Sequence, residues 1–170
     1  MNILPISVYG EDILRKQAEA VQNINGDLVS FLDSLVSTMK NAKGLGLAAN
    51  QVGLAQRIYA IDMSFFDVVK EPLVIINPIV VDTSGSIKGE EGCLSFPGLY
   101  LELERPEKAT VTGLDRNGKE FVIEGHGLVA RVLLHELDHL NGELFIDRLS
   151  SLQRGLIKGK LKRIMNGERV

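Results

Sequence analysis

Apolar positions recur at helical spacing in three stretches of the chain and follow strand spacing between them. Leu28, Phe31, Leu32, Leu35, Val36 and Met39 share one face of a 3.6-residue period, which predicts a helix over residues 27–41. Asp27 is the candidate N-cap, and Gly44 follows where such a helix should stop. Residues 44–51 (GLGLAANQ) carry no period and read as a loop. Strand patterns follow at Arg57–Met63 and at Leu73–Val81, the second rich in Val and Ile. Residues 108–115 and 119–124 flank Asn117-Gly118, a strong short hairpin signal. Helical spacing returns from Gly127 to Asn141, with Gly142 as terminator, and again from Ser151 to Met165, with Ser150 or Ser151 as cap. One helix, a block of strands and two further helices point to an α+β fold.

Composition narrows the class. A chain of 170 residues predicts a single domain, 1–170, large enough to bury its own core. With 45% hydrophobic and 24% charged residues it belongs among globular proteins. Nineteen basic against 22 acidic residues leave a formal charge of −3, which offers no general positive field and argues against nucleic acid as substrate. The most hydrophobic stretch, residues 72–81, is interrupted by Asn77-Pro78 and has half the length of a membrane span. The opening residues lack a basic region and an apolar core of signal-peptide length, so a cytoplasmic location with no membrane partner is expected. One cysteine cannot form an internal disulfide, which suits a reducing compartment and a thiol that is reactive or binds metal.

The chemistry concentrates in the helix at 127–141, which contains His135-Glu136-Leu137-Asp138-His139. Histidines at i and i+4 lie one turn apart on one face, so both imidazoles can reach one metal ion. Glu136 is turned beside that face and can act as a general base without being a ligand. A chance match on a surface helix is the bland alternative. Against it, Leu128, Val132, His135 and His139 follow an i, i+4, i+7, i+11 line, placing the histidines in the apolar stripe. A catalytic metal site needs a third protein ligand. Phe145 stands where an extended HExxHxxGxxH pattern requires histidine, although Gly142 falls at its glycine. Glu143, Asp147 and Glu168 are the only carboxylates after His139 and have no helpful surroundings. His126, nine residues before His135, reads as a helix-start residue and not a ligand. Cys93 remains: it is either a buried core thiol or, between Gly92 and Ser95, a soft third ligand.

Three segments, GLGLAANQ at 44–51, EGCLS at 91–95 and HELDH at 135–139, resemble in order and spacing the three signature motifs of peptide deformylases. Ile3-Leu4, Tyr9 and Leu14-Arg15 are similar to that family's opening, so the resemblance covers nearly the whole chain. It implies antiparallel or mixed strands packed around a central metal-binding helix, with an N-terminal and a C-terminal helix. It also implies a hydrolase that removes the formyl group from the N-terminal formyl-methionine of new polypeptides and releases formate. On this chain Cys93, His135 and His139 would hold the metal with water as fourth ligand, and Glu136 would take a proton from that water and pass one to the amine. The Gln51 amide and the Leu94 backbone N–H would stabilise the oxyanion. Gly44 and Gly46 would let backbone approach an extended peptide, Leu47 and Gly92 would join them in binding substrate, and Leu128 and Val132 would form the methionine pocket or, equally, pack the helix. Asp138 would orient a ligand histidine or lie exposed.

Ligand type alone favours zinc, whereas the resemblance implies Fe2+, with Zn2+ or Ni2+ as substitutes. Two departures stand out: Leu134 occupies a position where many relatives carry Gln, and Gly10 replaces a proline common after the tyrosine. The last helix carries Arg154, Lys158, Lys160, Lys162 and Arg163, opposite Leu152, Leu156, Leu161, Ile164 and Met165. It is either a docked amphipathic helix with a solvated basic face or a contact for the ribosome. A metallopeptidase for internal bonds is disfavoured by the missing third histidine. A non-catalytic metal module is disfavoured by Glu136 and Gln51, which a closed structural site does not need.

Overall fold

The computed structural model describes residues 2–66 and 71–170. The first helix, α1, spans Gly26–Asn41, and its cap is Asn25 and not Asp27: the Asn25 side chain accepts from the Leu28 N–H at 2.9 Å. Asp27 sits instead in the first turn, where its charge favours the N-terminal end of the helix dipole. Leu28, Leu32, Leu35 and Met39 are buried, as their spacing requires, against Leu47, Ile58, Ala60 and Ile76.

The strands are β1 (Gly46–Ala48), β2 (Ile58–Ile61), β3 (Leu73–Ser84), β4 (Ile87–Gly92), β5 (Tyr100–Arg105), β6 (Lys108–Leu114) and β7 (Glu120–His126). One sheet has the order β1-β2-β3-β6-β7 and β4 pairs with β5 in a separate hairpin, all ladders being antiparallel. Part of the expected loop at 44–51 is therefore strand, followed by one 3-10 turn over Ala49–Val52. Three residues are too few to show a period, so β1 is invisible in the hydrophobic pattern. The Asn117-Gly118 hairpin forms between β6 and β7, with Asp115 Oδ1 accepting from the Asn117 and Lys119 N–H groups.

Helix α2 (Leu128–Leu140) is an interior helix, with ten of its thirteen residues buried between the large sheet and the β4–β5 hairpin. That burial explains how two histidines and a glutamate come to share a face with apolar residues. The final helix breaks at Ile157 into α3 (Ser151–Leu156) and α4 (Lys158–Met165), with Gly155 and Gly159 flanking the break. Ser150 caps α3, its Oγ accepting from the Gln153 N–H at 3.2 Å while the Gln153 side chain accepts from the Ser150 N–H at 3.0 Å. Only Leu161 and Ile164 of the expected docking face are buried, while Leu152, Leu156 and Met165 are exposed. No helix among the described residues is long and apolar enough to cross a membrane.

Candidate metal centre and peptide site

Cys93 follows β4 directly, and α2 presents His135 and His139 to it. The ligand atoms of these three residues lie within 4.8 Å of one another, and Cys93 Sγ is 3.3 Å from His139 Nε2. The His135 and His139 rings stand 5.0 Å apart at 72°. One thiol and two imidazoles converging in this way fit a single divalent ion of the zinc or iron kind. Phe145 supplies no ligand; it is buried, with its ring edge-on to His135 at 5.8 Å.

A buried ionic network holds this arrangement, built largely from residues with no role in the sequence reading. Glu91 on β4 meets His135 Nδ1 at 2.5 Å, accepts from Arg105 Nη2 at 2.5 Å and Nε at 3.0 Å, and accepts from Arg131 Nη1 at 3.0 Å. Burial alone would raise the Glu91 carboxyl, but hydrogen bonds from His135 and Arg105 outweigh it and hold it well below the ordinary carboxylate range. An ionised Glu91 can only accept, so it fixes Nδ1 as the donor nitrogen of His135 and leaves Nε2 for a ligand. His139 is pushed well below the ordinary histidine value, first of all by burial, which favours the neutral ring that binds metal. Asp138 takes neither expected role: it is buried and accepts from Arg105 Nη1 at 2.7 Å and Arg148 Nη2 at 2.9 Å.

Glu136 lies 4% exposed over β1, and its Oε2 is buried with no hydrogen-bond partner among the described residues. Burial is the first cause that raises its carboxyl to about 7, so it can exchange a proton near neutral pH. Gly46 is required beneath it: a Cβ there would fall 2.7 Å from Glu136 Cγ and Cδ. Gln51 approaches from the 3-10 turn after β1. Its Oε1 accepts from the Ala48 N–H at 2.9 Å, and its Nε2 donates to Ser95 Oγ at 3.0 Å and lies 3.6 Å from Cys93 Sγ.

Gln51, Cys93, His135 and Glu136 line a cavity of about 220 Å³ that also includes Gly44, Gly46, Gly92, Leu94, Leu128 and Val132. Val132 is buried and Leu128 is 42% exposed at the mouth. Leu47 does not line it; strand alternation turns its side chain into the α1 core. His126 is the exposed last residue of β7, 2.8 Å from Glu124 Oε1 and away from the site. Asp147 and Glu168 pair with Arg15 and Arg163. Glu91 was the one missed residue with a sequence signal, since it opens EGCLS. Arg105, Arg131 and Arg148 had none, because their spacing to the site exists only after folding.

An α+β fold whose interior helix carries HExxH against a cysteine from a separate hairpin defines a class: hydrolases built on a mixed thiolate and imidazole centre. Comparison with known proteins narrows it further. Residues 3–155 match the polypeptide deformylase family model, and the chain belongs to that family. It is 49% identical over 162 residues to the peptide deformylase of Thermodesulfovibrio yellowstonii, covering 95% of this chain and 98% of the relative. The Alkalilimnicola ehrlichii peptide deformylase is 42% identical over 170 residues, 100% of this chain and 95% of the relative. The crystal structure of the Legionella pneumophila enzyme superposes with a TM-score of 0.90 at 42% identity, over 97% of this chain and 96% of that one. The Ehrlichia chaffeensis enzyme in complex with actinonin gives 0.89 at 35% identity over the full length of both.

Proposed function

We propose that this enzyme hydrolyses the N-formyl amide of N-terminal formyl-methionine on newly made polypeptides and releases formate. The observation that carries the reading is the convergence of Cys93, His135 and His139, with Cys93, His135, the Gln51 amide and the Glu136 carboxyl, whose Oε2 has no hydrogen-bond partner among the described residues, lining one cavity. Cys93, His135 and His139 would hold a divalent metal, which would supply the Lewis acidity that makes water nucleophilic near neutral pH. Glu136 Oε2 accepts the proton of the attacking water and delivers it to the leaving amine as the carbon–nitrogen bond breaks. The Gln51 Nε2–H and the Leu94 N–H face the developing oxyanion, a duty for which a neutral donor is suited.

The peptide fits as an added strand. Asp62 N–H donates to the Leu45 carbonyl, so antiparallel alternation turns the backbone groups of Gly46 away from β2, toward the unpaired edge of β1. β4 has an unpaired edge as well, and the cavity lies between the two. An extended substrate placed there gains main-chain hydrogen bonds while Val132 and Leu128 take the methionine side chain. The physiological metal proposed is Fe2+, acting in a reducing cytoplasm that protects Cys93. Anaerobic purification with metal analysis should recover iron with matched activity; a zinc form that iron cannot improve refutes this. We also propose docking on the ribosome through the basic residues of α3 and α4.

The decisive assay is formate release from formyl-Met-Ala-Ser. Protein loaded with Fe2+ or Ni2+ should turn over, and Glu136→Ala should lose about 1,000-fold in kcat while keeping its metal. Loaded wild-type protein that releases no formate overturns the reading.

A further inference from the structure

The two oxyanion donors assigned above sit on segments that never pair with each other in a sheet, so something else must fix their spacing. The N-terminal segment does so on both sides. The Ser7 N–H donates to the Gln51 carbonyl at 2.7 Å, and the Tyr9 N–H donates to the Ser95 carbonyl at 2.9 Å. Gln51 Nε2 donates to Ser95 Oγ at 3.0 Å, which closes a ring from residue 7 through 51 and 95 to residue 9. Leu94 lies inside the turn that this ring grips, since the Phe96 N–H returns to the Cys93 carbonyl at 2.9 Å.

Side chains anchor the bracket on both flanks. Ile6 packs on the cluster that contains Leu47 and Ala49, and Val8 and Tyr9 pack on the one that contains Phe96 and Phe145. Tyr9 stacks on Phe96 at 5.0 Å, Phe96 meets Phe145 edge-on at 4.9 Å, and Phe145 meets His135 at 5.8 Å. Packing alone would need none of the three hydrogen bonds, and each ends on the Gln51 or the Leu94–Ser95 segment.

We propose that Ser7–Tyr9 are a positioning element for deformylation, a two-point ruler whose N–H groups set the separation between Gln51 and the Leu94–Ser95 backbone. The proposal rests on the donor roles given to Gln51 and Leu94, and its test keeps the two apart. In the unmodified holoenzyme the Ser7 and Tyr9 amides should exchange with deuterium at least 100-fold slower than free-chain amides; free-chain exchange at both overturns the proposal without any variant. Ser7→Pro removes one donor. It should accelerate exchange of the Gln51 side-chain amide and the Leu94 N–H at least tenfold and lower kcat about tenfold or more. KM should stay within twofold. Ser7→Ala, which keeps the N–H, should retain parental kcat within twofold. Combining Ser7→Pro with Gln51→Ala should cost less than the product of the two single losses. A folded Ser7→Pro protein with parental exchange, or losses that multiply in the double variant, overturns the ruler. A fully active Gln51→Ala protein overturns the donor reading instead.

Discussion

At the scale of single residues, the site depends on what is absent beside Glu136. Gly46 leaves its carboxyl room against β1, and any side chain there must displace it, since even a methyl would stand 2.7 Å from Glu136 Cγ and Cδ. Gly46→Ala should therefore lower kcat about 100-fold, the loss typical of a catalytic group moved by about an ångström. The fold should survive, because β1 keeps its pairing with β2. Steady-state kinetics with a thermal melt checks this; a variant with parental kcat would show that Glu136 has slack. Gly10 is the second informative glycine. Its φ of +107° is closed to proline, and a Cβ there would stand 3.0 Å from Met165 Cγ on α4. The candidate histidine ligands and the proposed base were legible in the sequence because HExxH is a local pattern whose geometry helix periodicity dictates. Cys93 was legible only as the remaining soft donor, and Gln51 and Leu94 only through resemblance. The burial of the Leu47 side chain was not legible because a loop has no inward face, whereas the strand that forms there has one.

At the scale of elements, the least legible piece is the β4–β5 hairpin, and the reason is physical. Its inward row carries Glu91 and Arg105 beside Ile87, Leu101 and Leu103, so charge stands where the period of two expects apolar side chains. The strands are held by ion pairs with α2 that no local pattern announces. By contrast, α1, α2 and the β6–β7 hairpin bury apolar faces or use a turn signal, and all three were readable. A smaller ionic joint lies at the 3-10 turn Phe145–Arg148, where Asp147 accepts from Arg15 Nη1 at 2.6 Å and Nη2 at 3.0 Å, Arg154 Nη1 at 3.2 Å and the Leu144 N–H at 2.9 Å. Burial raises this carboxyl, but the bonds from Arg15 and Leu144 prevail and leave it below its ordinary value of 3.8. A carboxyl lowered by folding stabilises fully above the unfolded value and loses that contribution as pH falls through the folded one. Asp147→Asn should thus be less stable than the parent near neutral pH, with the gap closing below pH 3.8. Denaturant unfolding across that range checks it, and a gap independent of pH would refute the assignment.

For the molecule as a whole, charge is segregated in a way the total of −3 conceals. Residues 151–170 hold six basic side chains and one acidic, leaving the remaining 150 residues at −8. Arg154 and Arg163 are engaged with Asp147 and Glu168, but the exposed Lys158, Lys160 and Lys162 have no ion pair among the described residues, and the exposed Leu152 and Leu156 lie on the adjoining α3. A basic surface flanked by apolar side chains on an otherwise acidic body favours one orientation toward a polyanion, which is what docking on ribosomal RNA near an emerging chain requires. Deleting the helices would be a poor test, because Leu161 and Ile164 pack with Leu14, Phe96 and Phe145, next to the cysteine turn. Exchanging Lys158, Lys160 and Lys162 together for Glu leaves that packing intact. This variant should melt with the parent and turn over formyl-Met-Ala-Ser at the parental rate, yet fail to pellet with ribosomes at low salt. The parent's affinity should fall with salt on a log–log slope steeper than the variant's by roughly two to three, about 0.7–0.9 per lost phosphate contact. Equal pelleting of the two proteins at every salt concentration would assign the lysines to solubility alone and remove the ribosome from the list of partners.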